Sequence, residues 1–314
     1  MIKLFCIALT LLLLLSSVHA MAVSCPPALE APTAEMIQSG MSNARDHGFL
    51  WRISKDGRAS YLYGTIHLGK FDWMFPGKLV MKAIRETDTI ALELDMLDKN
   101  VQADMAKHMA KLRSSALPAS LDKRLRKQAE LNCVSYESIA SLTPEFQVVA
   151  VTMMEGRKAG LESSYAIDAV LAGIGHKTKR NMVSLESAEL QLNALQMKNS
   201  SETLAFVDSS LIEMETDRSL KMLNSIAKYW DEANYAEMGR FNEWCECLDT
   251  EIERVMMKRL LDDRNPEMAV KIDALHTSGK QVLAAVGSLH MFGPLGLPTL
   301  MAQRGYQVEK ITFE

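Results

Sequence analysis

Tyr61-Leu62-Tyr63-Gly64-Thr65-Ile66-His67-Leu68 is an apolar and aromatic run that ends on a glycine, a small hydroxyl residue, an aliphatic residue and a histidine. Near the other end of the chain, Ala284-Ala285-Val286-Gly287-Ser288-Leu289-His290-Met291 repeats that plan class for class. A single Gly-x-x-His carries almost no information. Two copies, each closing an apolar run and each with Thr or Ser after the glycine, read as two strand ends that meet in space; repeats are the first thing to weigh in a new chain. The motif glycines Gly64 and Gly287 suit a strand that turns sharply or lets a ligand approach its backbone. Thr65 and Ser288 can hydrogen-bond the local backbone. His67 and His290 then project from the carboxyl ends of their strands, where open sheets bind ligands. One such histidine alone would be read as satisfied by a nearby carbonyl; the matched pair favours a site.

Working outward, Leu50-Trp51-Arg52-Ile53 and the polar turn Ser54-Lys55-Asp56-Gly57-Arg58 signal a hairpin whose second arm ends at Gly64. The loop from Gly69 to Pro76 carries Phe71, Trp73 and Phe75, either a substrate wall or a plug on the core. Lys78 to Arg85 reads as a helix and Thr89 to Leu94 as a buried strand. Glu93 stands there among apolar neighbours, a costly place for a carboxylate unless it is paired or ligating; Asp95 competes with it. Lys99 to Thr216 is mostly helical, with Thr143-Pro144-Glu145 as a clear helix start. Asp168 lies inside one helix, Met182 to Leu185 returns as a strand that closes on Glu186, and Gln191 follows. Helices continue from Ser201 to Lys228 and from Asp231 to Leu261. Arg264 and Asn265 precede Pro266, hence sit at a helix boundary, and Gly305 to Phe313 forms an alternating last strand. The pattern is α/β to α+β: a mixed central sheet with a large helical insert at about 99–260, all within a domain from 50 to 314.

Residues 1–20 have the form of a signal peptide, with Lys3, an apolar run from Leu4 to Leu15 and Val18-His19-Ala20 as the cleavage site. That run is short of the roughly 20 residues a membrane span needs, so export to the periplasm or the outside follows, with 21–49 a lead-in. A lipoprotein acylated at Cys25 ranks second, because Ala22-Val23-Ser24 is a poor lipobox. Cys25, Cys133, Cys245 and Cys247 remain after cleavage, an even number that suggests disulfides in an oxidising compartment. On a helix, Cys245 and Cys247 would be too close to bond one another, so they are expected to have different partners or to stay free. A Cys-x-Cys metal site finds no companion pair at zinc-finger spacing.

The chain is 48% hydrophobic and 24% charged with net charge −4, a mild acidity that argues against nucleic acid, which requires a basic stripe. Most of the 21 methionines sit at helical spacing among apolar residues and read as core filler.

The two Gly-x-x-His motifs, Leu92-Glu93, Asp168, Ser184-Leu185-Glu186 with Gln191, and Arg264-Asn265 together resemble the TraB/GumN family. That family includes the TIKI proteases and is related in fold to erythromycin esterase-like and ChaN-like proteins. The resemblance implies pseudo-twofold repeats meeting at one cleft and peptide hydrolysis that depends on a divalent metal, with manganese or cobalt supporting activity; two imidazoles and one or two carboxylates make a mixed nitrogen and oxygen set suited to manganese, cobalt, iron or zinc. His67, His290 and Glu93 are the expected ligands, with Glu93 or Glu186 as general base. Arg264 and Asn265 are expected to stabilise an oxyanion or hold the carboxylates, and Asp168 and Gln191 to support the ligands from behind. The expected partner is a peptide or small polypeptide. A binding protein that captures a peptide, or haem or iron, without catalysis is the alternative, with Tyr61 and Tyr63 as the haem-facing candidates.

Overall fold

A computed structural model of the chain describes residues 25–313. The expected leader, residues 1–20, and the start of the lead-in lie outside the described residues. Six strands, β1 (Phe49–Lys55), β2 (Arg58–Thr65), β3 (Thr89–Leu92), β4 (Asn181–Ser184), β5 (Val282–Gly287) and β6 (Gln307–Ile311), form one sheet in the order β4-β3-β5-β2-β1-β6. β1 and β2 are the expected hairpin, closed by Asp56 and Gly57, both at positive φ, as a two-residue turn between twisted strands requires. β6 adds antiparallel to β1. The strands β4, β3, β5 and β2 all run parallel. The sheet is therefore mixed, as the sequence pattern implied.

The parallel block follows from composition. Every residue of β3 and all but the last of β5 are buried, as strands covered on both faces must be. Helices Lys78–Glu86, Ile167–Lys177, Asn265–Thr277 and Leu297–Gln303 bury residues against the sheet's core cluster. A second cluster around Leu125, Val148, Val151, Val207 and Leu211 joins the helices Ala119–Leu131, Pro144–Glu155 and Ser200–Glu215. The helical stretch 99–260 is thus interrupted: β4 lies within it and pairs with β3.

The repeated motif becomes a neighbouring pair. β2 and β5 lie side by side with Gly64 opposite Val286 and Thr65 opposite Gly287. Gly64 is a packing glycine, since a Cβ there would sit 3.2 Å from both Ser288 Cα and Oγ. Its carbonyl accepts a 2.8 Å hydrogen bond from Trp230 Nε1, which ties the helix Arg218–Asp231 to the sheet. Ser288 donates to the Thr65 carbonyl at 2.6 Å, as expected of a turn-fixing hydroxyl. Thr65 does not: its own hydroxyl is buried without a partner among the described residues.

One expectation is corrected, and two alternatives left open by the sequence find a structural answer. Cys245 and Cys247 are bonded to each other, with Cα atoms 5.1 Å apart. The helix expected across them ends at Trp244, and Glu246 takes a left-handed φ of 49°, so the two side chains face one another. Cys25 pairs with Cys133, which leaves no thiol there for a lipid. Trp73 is buried against His47 and Trp230, so this aromatic plugs the core rather than walling a cleft.

Gly64→Ala forces the Ser288 backbone away and is expected to cost about 1–3 kcal/mol, read as a lower urea midpoint with unchanged slope. A second expectation concerns Glu213, whose pKa is pushed up to about 7 by burial first and then by the charge of Glu253. A folded value above the ordinary 4.5 means the folded chain holds this proton longer, so stability is greatest below 4.5 and falls as pH rises through about 7. Glu213→Gln removes that fall, so its thermal midpoint relative to the unmodified chain should rise from about pH 5 to about pH 8; a constant difference would refute the assignment.

Candidate functional site

Four consecutive parallel strands each deliver one side chain just past their carboxyl ends: Glu186 after β4, Glu93 after β3, His290 after β5 and His67 after β2. This is where parallel sheets leave a crevice, because backbone pairing stops there and the following loops diverge. The expected strand to Leu94 ends at Leu92, so Glu93 lies one residue beyond it and not within it, 9% exposed.

Glu93 is the centre. Its Oε1 accepts a 2.7 Å hydrogen bond from the Gly287 N–H, and its Oε2 accepts from Arg264 Nη2 at 2.6 Å and Gln191 Nε2 at 3.2 Å. The same Oε1 lies 3.9 Å from Nε2 of His67 and 3.9 Å from Nε2 of His290. Each ring is anchored from behind. His67 Nδ1 donates to Asp168 Oδ1 at 3.1 Å, and His290 Nδ1 donates to Asn265 Oδ1 at 2.6 Å. Asn265 is oriented by donating from Nδ2 to the Leu295 carbonyl at 2.9 Å. Both rings therefore turn Nε2 towards Glu93, the arrangement in which a back-side hydrogen bond sets a ligand histidine.

Arg264 sits where a π-helical turn, Lys258–Asp262, leads into the helix Asn265–Thr277; such turns gather at functional sites. Its Nε donates to Glu186 Oε1 at 2.8 Å, its Nη2 bridges Glu186 and Glu93, and its Nη1 donates to the Leu260 carbonyl at 2.8 Å. Gln191 also joins the two acids, reaching Glu186 Oε2 at 3.1 Å. Arg264 is thereby held charged, its pKa moved further up, because the two carboxylates outweigh burial.

The two imidazoles differ in charge. Burial pulls His290 down to about 4, so it is neutral at physiological pH. For His67, loss of water works against the proton, but the hydrogen bond and charge of Asp168 and the charge of Glu93 outweigh it and raise the ring to about 9. Burial disfavours the Glu93 carboxylate too, yet His290, His67, Arg264 and the Gly287 N–H together bring it to about 2.

Gly287 leaves the space between these groups open. A Cβ built there would lie 3.3 Å from Glu93 Oε1, 3.4 Å from His67 Nε2 and 3.6 Å from His290 Cδ2. Its φ of −49° is ordinary for any residue, so room and not backbone freedom calls for glycine. Among the described residues no group of three or more His, Cys, Asp or Glu side chains is drawn in tightly enough to hold a metal ion as it stands. The donor chemistry nonetheless fits. Two imidazole nitrogens and a carboxylate oxygen facing one open space are donor types that a divalent ion takes.

The sequence reading placed His67, His290, Glu93, Glu186, Asp168, Gln191, Arg264 and Asn265 in the site, and the structure brings all eight together. Asp95 lies apart, with Oδ2 2.7 Å from His176 Nε2. Tyr61 and Tyr63, the haem-facing candidates, are buried and bonded to Glu86 and to the His47 carbonyl. The sequence reading missed the π-helical turn and the Gly287 N–H donor; neither leaves a composition signal.

The pattern of the TraB/PrgY/gumN family matches residues 49–310. The chain is 25% identical to the uncharacterized protein YbaP of Shigella flexneri, over 78% of its own length and 88% of that protein's. Over the same shares it is 24% identical to YbaP of Escherichia coli (strain K12). It is 23% identical to the metalloprotease TIKI2 of Xenopus tropicalis, over 87% of this chain and 62% of that protein. No solved structure matches the chain. The family match runs from the first residue of β1 into β6 and so takes in every strand end that feeds the site; the chain belongs to the TraB/PrgY/gumN family.

Proposed function

We propose that this protein is an exported, metal-dependent hydrolase acting on peptides. One observation carries the reading: two imidazole Nε2 atoms converge on a single oxygen of Glu93, each ring anchored at Nδ1, around a space that Gly287 keeps open. Similarity to a protein named as a metalloprotease supports it. The disulfide between Cys25 and Cys133 suits an oxidising compartment. Among the described residues no helix is long and apolar enough to cross a membrane.

His67, His290 and Glu93 would hold the ion, a nitrogen and oxygen set suited to manganese, cobalt, zinc or iron. Bound there, a divalent ion polarises a carbonyl and lowers the pKa of water. The chain's own residues prepare that chemistry. Glu93 is the carboxylate that faces both imidazoles, which supports a role as ligand or as acceptor of a water's proton. Glu186, gripped at both oxygens by Arg264, is placed to hold that arginine. Arg264 and Asn265 direct donors to carboxylates and carbonyls, which supports a positioning role over an oxyanion role.

The test is to purify the full chain, assay bound metal, and incubate it with a peptide library and manganese or cobalt. His67→Ala and His290→Ala should both lose metal and cleavage while keeping the thermal midpoint within a few degrees. Tight peptide binding without cleavage by the unmodified chain would leave a sequestering protein instead, and unfolding of both variants would make the histidines structural. Gly287→Ala should fold with a stability change under about 1 kcal/mol, because its backbone angles suit alanine. Its new methyl group intrudes between the three groups, so metal affinity measured by titration calorimetry should fall at least about tenfold; an unchanged affinity would place the ion elsewhere.

A further inference from the structure

We infer that the apolar cavity beside the paired histidines is a specificity pocket that seats one large aliphatic or aromatic side chain of the peptide, next to the bond to be cut. The inference rests on the peptidase reading above. Two cavities meet at the site, one of about 340 Å³ and one of about 250 Å³, and both are lined by His67, Glu93, Leu260 and Arg264. The larger continues past Asp168 and Gln191 but also past Leu94, Met96 and Leu195, so its lining is mixed. The smaller is walled by Leu68, Leu161, Leu223, Ile226, Leu261 and Leu289, and among the described residues its charged lining groups are those of the site itself. A chain-like substrate laid across the shared residues would occupy both.

Physical cost singles out the smaller cavity. Aliphatic side chains around a void forgo the dispersion contacts that close packing would give them. Leu223, Ile226, Leu261 and Leu289 are in addition only partly buried, so an apolar occupant would remove their remaining surface from water. The volume falls just below the roughly 300–1,000 Å³ of whole-ligand pockets, which suits one side chain.

The experiment measures binding apart from turnover. Blocked hexapeptides that differ at one residue (Leu, Phe, Ser or Asp) are titrated into the full chain in EDTA, by calorimetry, with the unmodified protein, Leu223→Trp and Leu223→Ala. The Leu and Phe peptides should bind roughly 10- to 200-fold more tightly than the Asp peptide. Leu223→Trp fills the pocket and should erase that preference; Leu223→Ala enlarges it and should shift preference from Leu to Phe. Equal affinity for all four peptides, no measurable binding, or a preference unchanged in both variants at unchanged thermal midpoints would overturn the inference. Cleavage in manganese without side-chain preference would overturn the pocket and leave the hydrolase reading standing. An apolar binding preference without cleavage would keep the pocket and sink the peptidase.

Discussion

A carboxylate held anionic at the carboxyl edge of a parallel sheet is the constraint on which this molecule depends. Burying Glu93 costs several kcal/mol unless its charge is matched and its lone pairs are filled. Gly287 N–H, Arg264 and Gln191 fill them, and they come from a neighbouring strand end, a helix start and a separate helix. Each of those elements must therefore be in place before the charge can be buried. Arg264 extends the same demand to Glu186 and so ties β3 to β4 through one guanidinium. A deletion of any one partner would leave a buried charge poorly matched, which is why the clasp and the fold stand or fall together.

The duplicated motif performs two different jobs. Its first glycine lets Ser288 lie against β2; its second opens the space between His67, His290 and Glu93. The histidines diverge as well. His67 is half-exposed and charged beside Asp168, whereas His290 is buried and neutral against Asn265. A repeat in sequence has become a division of labour, with one ring half-exposed and charged and the other buried and neutral. Glu93 is thereby balanced by an imidazolium and by Arg264.

Where expectation and structure parted, the cause was a backbone break that no periodicity announces. The stretch after Asp231 contains enough apolar and acidic residues to read as one helix, but Ala233 and Glu246 adopt positive φ, and the chain is divided into the helices Tyr235–Gly239, Phe241–Trp244 and Glu251–Met257. That break allows Cys245 to meet Cys247. The aromatic loop after His67 was open to two readings because exposure is a property of the partner surface. Trp73 finds His47 and Trp230, both far from it in sequence.

The sequence by itself determined the strands, the hairpin turn at Asp56-Gly57, and the residue types that meet at the site, because apolar runs, a left-handed turn pair and misplaced carboxylates are local facts. Only the tertiary structure decided which oxygen faces which nitrogen. Local pattern could not choose between Glu93, Glu186 and Asp95, since all three follow short apolar strands or flank one. The choice came from parallel pairing of β3 with β5, which sets Glu93 one residue beyond the pairing, opposite Gly287 N–H and both imidazoles, and leaves Asp95 to His176. Charge placement of that kind depends on the register between strands nearly two hundred residues apart, and register is a property of the packed sheet and not of either strand alone.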